Sequence, residues 1–121
     1  MSNGYINSDP LVRLCAYLDG ANVNLKSFDD GIYRSLNGGT LDPVLNTFKT
    51  LRAQGVWFEI TTLVVPTYVD DPDMLKRMCA WILNELGPDY PLHLLRFFPQ
   101  YKLNRLPATP VATLEKLRTV A

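Results

Sequence analysis

Apolar residues recur along this chain at two spacings, and stretches of one alternate with stretches of the other. From Asp9, the run DPLVRLCAYL places Leu11, Leu14, Cys15 and Leu18 on one helical face. From Asp42, DPVLNTFKTLRAQG gathers Val44, Leu45, Phe48 and Leu51 and stops at Gly55. From Asp70, DDPDMLKRMCAWILNELG repeats Leu75, Met78, Cys79, Ile82 and Leu86 and stops at Gly87. Such spacing predicts amphipathic helices, each with one apolar stripe against a flat partner. Their starts are signposted. Asp9-Pro10, Asp42-Pro43, Asp71-Pro72 and Thr109-Pro110 each set a capping residue before a proline, whose missing N–H costs nothing in a first turn. A shorter helix is expected between Asp29 and Leu36.

Between the helices lie three strand-like runs, Ala21–Lys26, Val56–Val65 and Leu92–Phe98. The second, VWFEITTLVV, is especially rich in β-branched and aromatic residues. Strand alternating with helix predicts a parallel α/β sheet, open or rolled into a barrel, within a single domain over residues 1–121. The opening MSNGYI reads as the last residues of a strand and the turn after it.

A strand covered by helices on both sides should be apolar on both faces, and these are not. Asn22, Asn24 and Lys26 alternate with Val23 and Leu25. Glu59 and Thr61 share the parity of Trp57, and Arg96 that of Leu94 and Phe98. Chemistry in parallel α/β folds gathers beyond the C-terminal strand ends. One polar parity per strand therefore predicts that Asn24, Lys26, Glu59, Thr61 and Arg96 line a ligand-holding mouth. Each residue also has a plain structural use. Lys26 can reach solvent from a strand end, and Glu59 can pair with Arg96 or Lys26. The coincidence across three strands favours the ligand site.

Charge and composition narrow the picture further. Twelve basic residues balance twelve acidic ones, which excludes a polyanion or anionic membrane surface as the expected partner. Cys15 and Cys79 form neither a metal-ligand motif nor a disulfide framework, and the cytoplasm is the expected compartment. Gly38-Gly39 is read as a turn between two helices. Trp57 and Trp81 are read as core, and His93 as packed or at an outer surface. Asp70–Asp73 is read as the acidic first turn of a helix rather than a metal site. Tyr101 and Lys102 follow the third strand and are expected at the rim of the mouth.

Four segments in this order, SNGY at Ser2–Tyr5, ANVNLKSF at Ala21–Phe28, EITTLVVP at Glu59–Pro66 and RFFPQYKL at Arg96–Leu103, resemble radical SAM enzymes. The branch is similar to pyruvate formate-lyase activating enzyme, in particular the AmmeMemoRadiSam-system radical SAM proteins. GGTLDPVL and LPATP fit as well. The resemblance implies the C-terminal half of a partial (β/α)6 TIM-like barrel. It implies S-adenosylmethionine and a [4Fe–4S] cluster as cofactors of the complete enzyme, which splits S-adenosylmethionine to make a 5′-deoxyadenosyl radical. The family's D-x-K cofactor pair maps onto Asn24 and Lys26, and an aspartate–threonine–asparagine–glycine segment maps in part onto Ser2, Asn3 and Gly4. A cofactor-contacting histidine maps onto Phe98.

Asn24 replaces a carboxylate with two acceptor oxygens by an amide with one. The family's C-x-x-x-C-x-x-C motif is absent, and a cluster needs three closely placed thiolates. The chain alone is therefore expected to bind no cluster and to leave S-adenosylmethionine uncleaved, the N-terminal, cluster-binding half being supplied by a partner. The alternative is a stand-alone half-barrel that binds or assembles without catalysis, through self-association. An open flavodoxin-like domain with an unrelated ligand is the third reading.

Overall fold

The computed structural model describes residues 1–121. Five helices and three strands alternate: α1 (Ser8–Cys15), β1 (Gly20–Asn24), α2 (Asp30–Ile32), α3 (Leu41–Ala53), β2 (Trp57–Val64), α4 (Pro72–Glu85), β3 (Leu92–Arg96) and α5 (Val111–Val120). The sheet is open and entirely parallel, in the order β1-β2-β3, as the alternation predicts. Each strand is slightly shorter than its apolar run.

Of the four proline signposts, only Asp71-Pro72 caps as expected. The Asp71 carboxylate accepts from the amides of Asp73 and Met74 at 3.1 Å each, with Pro72 opening α4. Asp9 and Asp42 fall inside first turns, since α1 starts at Ser8 and α3 at Leu41. The Leu41 amide is instead taken by Asp30 Oδ1 at 2.9 Å, a distant aspartate replacing the local cap. That bond, and then the Arg34 guanidinium 2.7 Å from the other oxygen, hold the Asp30 carboxyl below its ordinary range. Pro110 rather than Thr109 precedes α5.

The core lies on one side of the sheet. Val23, Phe58, Ile60 and Val64 point to it, as do Leu11 of α1, Phe48 and Leu51 of α3, Met78 and Ile82 of α4, and Leu117 of α5. Phe48, Phe58, Ile60 and Met78 are completely buried; each contributes about 1.5–3 kcal/mol by leaving water. The opposite parity carries Asn22, Asn24, Trp57, Glu59, Thr61, Leu63, His93 and Leu95 and turns away from that core; at the β3 edge α5 comes beside it, where Leu114, Glu115 and Arg118 share a groove with His93 and Leu95. Trp57, expected in the core, is 51% exposed because it belongs to that parity. Trp81 does pack against the core, edge-on to Phe48.

The first residues run beside β1. Ser2 forms a parallel bridge to Val23, with its amide on the Asn22 carbonyl at 2.8 Å and its carbonyl accepting from the Asn24 amide at 2.9 Å. The expectation that MSNGYI holds the last residues of a strand and the turn after it is met at Ser2 and Gly4. Gly4 makes the turn at φ +70°, and the Thr47 hydroxyl of α3 donates to its carbonyl at 2.6 Å. A Cβ on Gly4 would sit 2.8 Å from Val23 Cγ1 and 3.2 Å from Val44 Cγ1. Gly4→Ala combines a strained φ with overpacking, and should destabilise the fold by about 2–4 kcal/mol in urea unfolding. A loss below half a kilocalorie, about the scatter of neutral surface substitutions, would show that the turn is not clamped.

Candidate functional site

Just past the C-terminal end of β1, three segments converge on a cleft of about 240 Å³. Asn3 and Tyr5 come from the glycine turn, Lys26 from the residues after β1, and Tyr33 with Asn37–Gly39 from the segment after α2. That segment is a π-turn, Tyr33–Asn37, closed by Gly38 at φ +66°. Gly39 is required for a different reason: a Cβ there would lie 3.0 Å from the Tyr5 ring. The Gly-Gly pair thus ends one turn and admits an aromatic wall.

The chemistry of the cleft is cationic and donor-rich. Lys26 is half-buried and belongs to none of the four ion pairs, which are Arg34–Asp30, Lys49–Glu85, Lys76–Asp73 and His93–Glu59. No carboxylate lines the space. The Lys26 amide donates to the Tyr33 hydroxyl at 3.0 Å, which leaves the hydroxyl's own proton to donate elsewhere. Burial pushes the Tyr33 phenol above its ordinary pKa, and the Lys26 amide offsets part of that shift. The arrangement suits a ligand bearing an anionic group.

The other residues expected at one mouth separate into two places. Asn24 donates through Nδ2 to the Ser2 carbonyl at 3.0 Å, so its amide holds the first turn and leaves one acceptor oxygen. Glu59 and Thr61 lie on the uncovered face, in a polar chain that runs from Thr61 through Asn22 to Glu59. Thr61 donates to Asn22 Oδ1 at 3.0 Å, and Asn22 Nδ2 donates to Glu59 Oε2 at 3.2 Å. His93 Nε2 stands 3.2 Å from the same carboxylate oxygen.

Arg96 does not share that face. The register pairs it with Val64, of the core parity, while Thr61 pairs with His93. The expected parity of β3 was inverted because LHLLRFF offers apolar residues at both spacings. Leu92 and Leu94 pack against the core, and Leu95 is 42% exposed. Arg96 Nε donates to the Thr109 carbonyl at 2.7 Å, and its guanidinium lies 4.9 Å from the Phe98 ring centroid. Thr109 is itself buried, with its hydroxyl donating to the Val64 carbonyl at 2.5 Å and accepting from the Phe97 amide at 3.1 Å. Tyr101 is 84% exposed with Lys102 5.5 Å over its ring, and neither lines the cleft.

Tyr5, Tyr33, Gly38-Gly39 and His93 were not picked out as site residues. The signal for the glycines was their place a short helix after a polar strand end. For His93 it was the strand register, which a single sequence does not fix. Cys15 is buried, burial raises the Cys79 thiol, and no three His, Cys, Asp or Glu side chains of this chain cluster. No helix is long and apolar enough to cross a membrane.

Fold and cleft together define a parallel α/β layer with helices on one side and a cationic pocket beyond its first strand. No family model matches the chain. An uncharacterized protein of Methanocaldococcus jannaschii is 41% identical over all 121 residues, and the chain spans 35% of that relative's length. Among solved structures, a domain of pyruvate-formate lyase-activating enzyme from Bacteroides vulgatus ATCC 8482 superposes with a TM-score of 0.80. The match covers 98% of this chain and 71% of that one at 12% identity, which shows a shared fold.

Tyr33→Phe leaves the half-buried Lys26 amide without its acceptor and should cost about 1–3 kcal/mol at neutral pH. The folded state holds the Tyr33 proton more tightly than the unfolded chain does. Its stabilisation is thus complete below about pH 10 and is lost as pH rises through the raised folded value. The Phe variant should lose stability less steeply above that pH in denaturant titrations. An alkaline limb as steep as the wild type's would remove Tyr33 from this role.

Proposed function

We propose that this chain is the S-adenosylmethionine-holding part of a radical SAM barrel, its three strands standing for the C-terminal half of a partial (β/α)6 barrel. One observation carries the reading. Lys26, unpaired, meets Asn3 in a carboxylate-free cleft beyond a parallel strand end. Support for it comes from the fold shared with the activating-enzyme domain. In the proposed role, the Lys26 ammonium takes the carboxylate of S-adenosylmethionine and the Asn3 amide orients it. Tyr5 and Tyr33 supply flat apolar walls, and Tyr33 keeps a hydroxyl proton for a hydrogen bond.

The [4Fe–4S] cluster does not fit this chain. It needs three adjacent thiolates, and the two cysteines lie in different helices. S-adenosylmethionine supplies a 5′-deoxyadenosyl radical once a cluster reduces it, so that reaction belongs to an assembly in which other residues hold the cluster. Glu59 and Thr61 then belong to the barrel interior. Phe98, with Arg96 against its ring, is proposed to shield the adenosyl side, and Tyr101 with Lys102 to stand at the rim.

A second reading, a binding module without catalysis, is favoured by the uncovered sheet face, where Trp57, Leu63 and Leu95 are exposed. Such a face associates with a partner or with its own copy. Sedimentation of the chain should show concentration-dependent association, and a strict monomer at all concentrations would count against this second reading. For the first, calorimetric titration with S-adenosylmethionine is the test. Lys26→Ala should weaken binding by about 1.5–3 kcal/mol, the worth of a charge-assisted hydrogen bond. Equal affinity in the variant would exclude Lys26 as the carboxylate anchor.

A further inference from the structure

The Glu59–His93 pair lies outside the Lys26 cleft, on the sheet face opposite the core, with α5 beside it at the β3 edge, where Glu115 and Arg118 share a groove with His93. Glu59 is the only formally charged residue among the strand residues of that parity. Neither Lys26 nor Arg96 pairs with it, and its ion-pair partner is His93, 3.2 Å away. One carboxylate oxygen, Oε2, takes both the Asn22 amide and the His93 contact, and Asn22 is in turn fixed by the Thr61 hydroxyl. The chain of donors thus points inward to Oε2. Oε1 remains without a protein partner, so the pair presents an anionic acceptor to the open side.

Trp57 is two residues before Glu59 on the same face, about 7 Å along the strand, and half of its surface is exposed. The indole stacks on the Tyr90 ring, centroids 5.6 Å apart, and its exposed remainder shares one strand parity with the Glu59 carboxylate; together the two groups attract organic cations, through a cation–π contact and a charge-assisted hydrogen bond. Leu63 and Leu95 add apolar surface further along the same face. We propose that this face binds a small molecule through its ammonium or guanidinium group, with Glu59 as the charge partner, His93 as a second polar contact and Trp57 as the aromatic wall. The proposal stands independently of S-adenosylmethionine binding, because none of these residues lines the Lys26 cleft.

His93 is the only histidine in the chain, so its ring nitrogens give one clean pair of signals in 15N NMR. The probes are n-butylammonium, n-butylguanidinium, butyrate and n-butanol, at matched ionic strength and at a dilution where the chain is monomeric. The two cations should move the His93 signals saturably, while butyrate and butanol should not. Glu59→Gln keeps a carbonyl for Asn22 but removes the charge, and should weaken the cation response about 10- to 100-fold. Trp57→Leu, on the exposed side, should weaken it several-fold with the fold intact. The proposal is overturned if neither cation gives a saturable change, if butyrate or butanol acts equally well, or if Glu59→Gln binds as tightly as the wild type.

Discussion

Ile60, completely buried at the middle of β2, fixes the parity of everything around it. It pairs with Val23 on one side and Leu92 on the other, so all three strands must turn the same alternate positions toward the helices. With a side-chain period of two, a slip of one residue would exchange the apolar and polar faces. Burying Val23, Phe58, Ile60 and Val64 therefore dictates that Asn22, Glu59, Thr61 and His93 stand together on the other side. The polar chain across the sheet is a consequence of how the core is packed.

The cleft depends on the same register at one remove. Because β1 is held in place by β2, its C-terminal end delivers Lys26 to a fixed position. Ser2 reads that position by bonding to Asn22 and Asn24 across the edge of β1. Gly4 then turns the chain where Val23 and Val44 leave no room for a Cβ, and Thr47 pins its carbonyl. Asn3 and Tyr5 reach Lys26 only because that turn is clamped to both sheet and helix. Asn24 spends its amide on the Ser2 carbonyl, a bond that a carboxylate could not make.

Much of this was legible from the residues. Helical stripes, three parallel strands and the strand-like start at Ser2 follow from spacing and turn chemistry, Lys26 from the polar parity of its strand, and Asn3 from the resemblance. What failed has physical causes. Asp42 looked like a cap, but Asp30 reaches the Leu41 amide from another turn, and no local rule sees that contact. Arg96 was given the wrong face because β3 is apolar at both parities, and only its pairing with β2 decides between them. Trp57 looked like core because size and hydrophobicity predict burial, whereas here the parity shared with Glu59 leaves it exposed. Tyr33 and the glycines join the cleft through a π-turn, whose extra residue has no simple sequence signature.

Function on this fold rests on where a ligand sits, and that is open to direct mapping. Backbone amide shifts of the chain should be recorded while S-adenosylmethionine is added. Changes centred on Asn3, Lys26 and Asn37–Gly39 are predicted, with the helix layer undisturbed. A map centred instead on the apolar hollow by Ile82, Leu83 and Pro88, or no change at all, would contradict the assignment of the Lys26 cleft as the cofactor site.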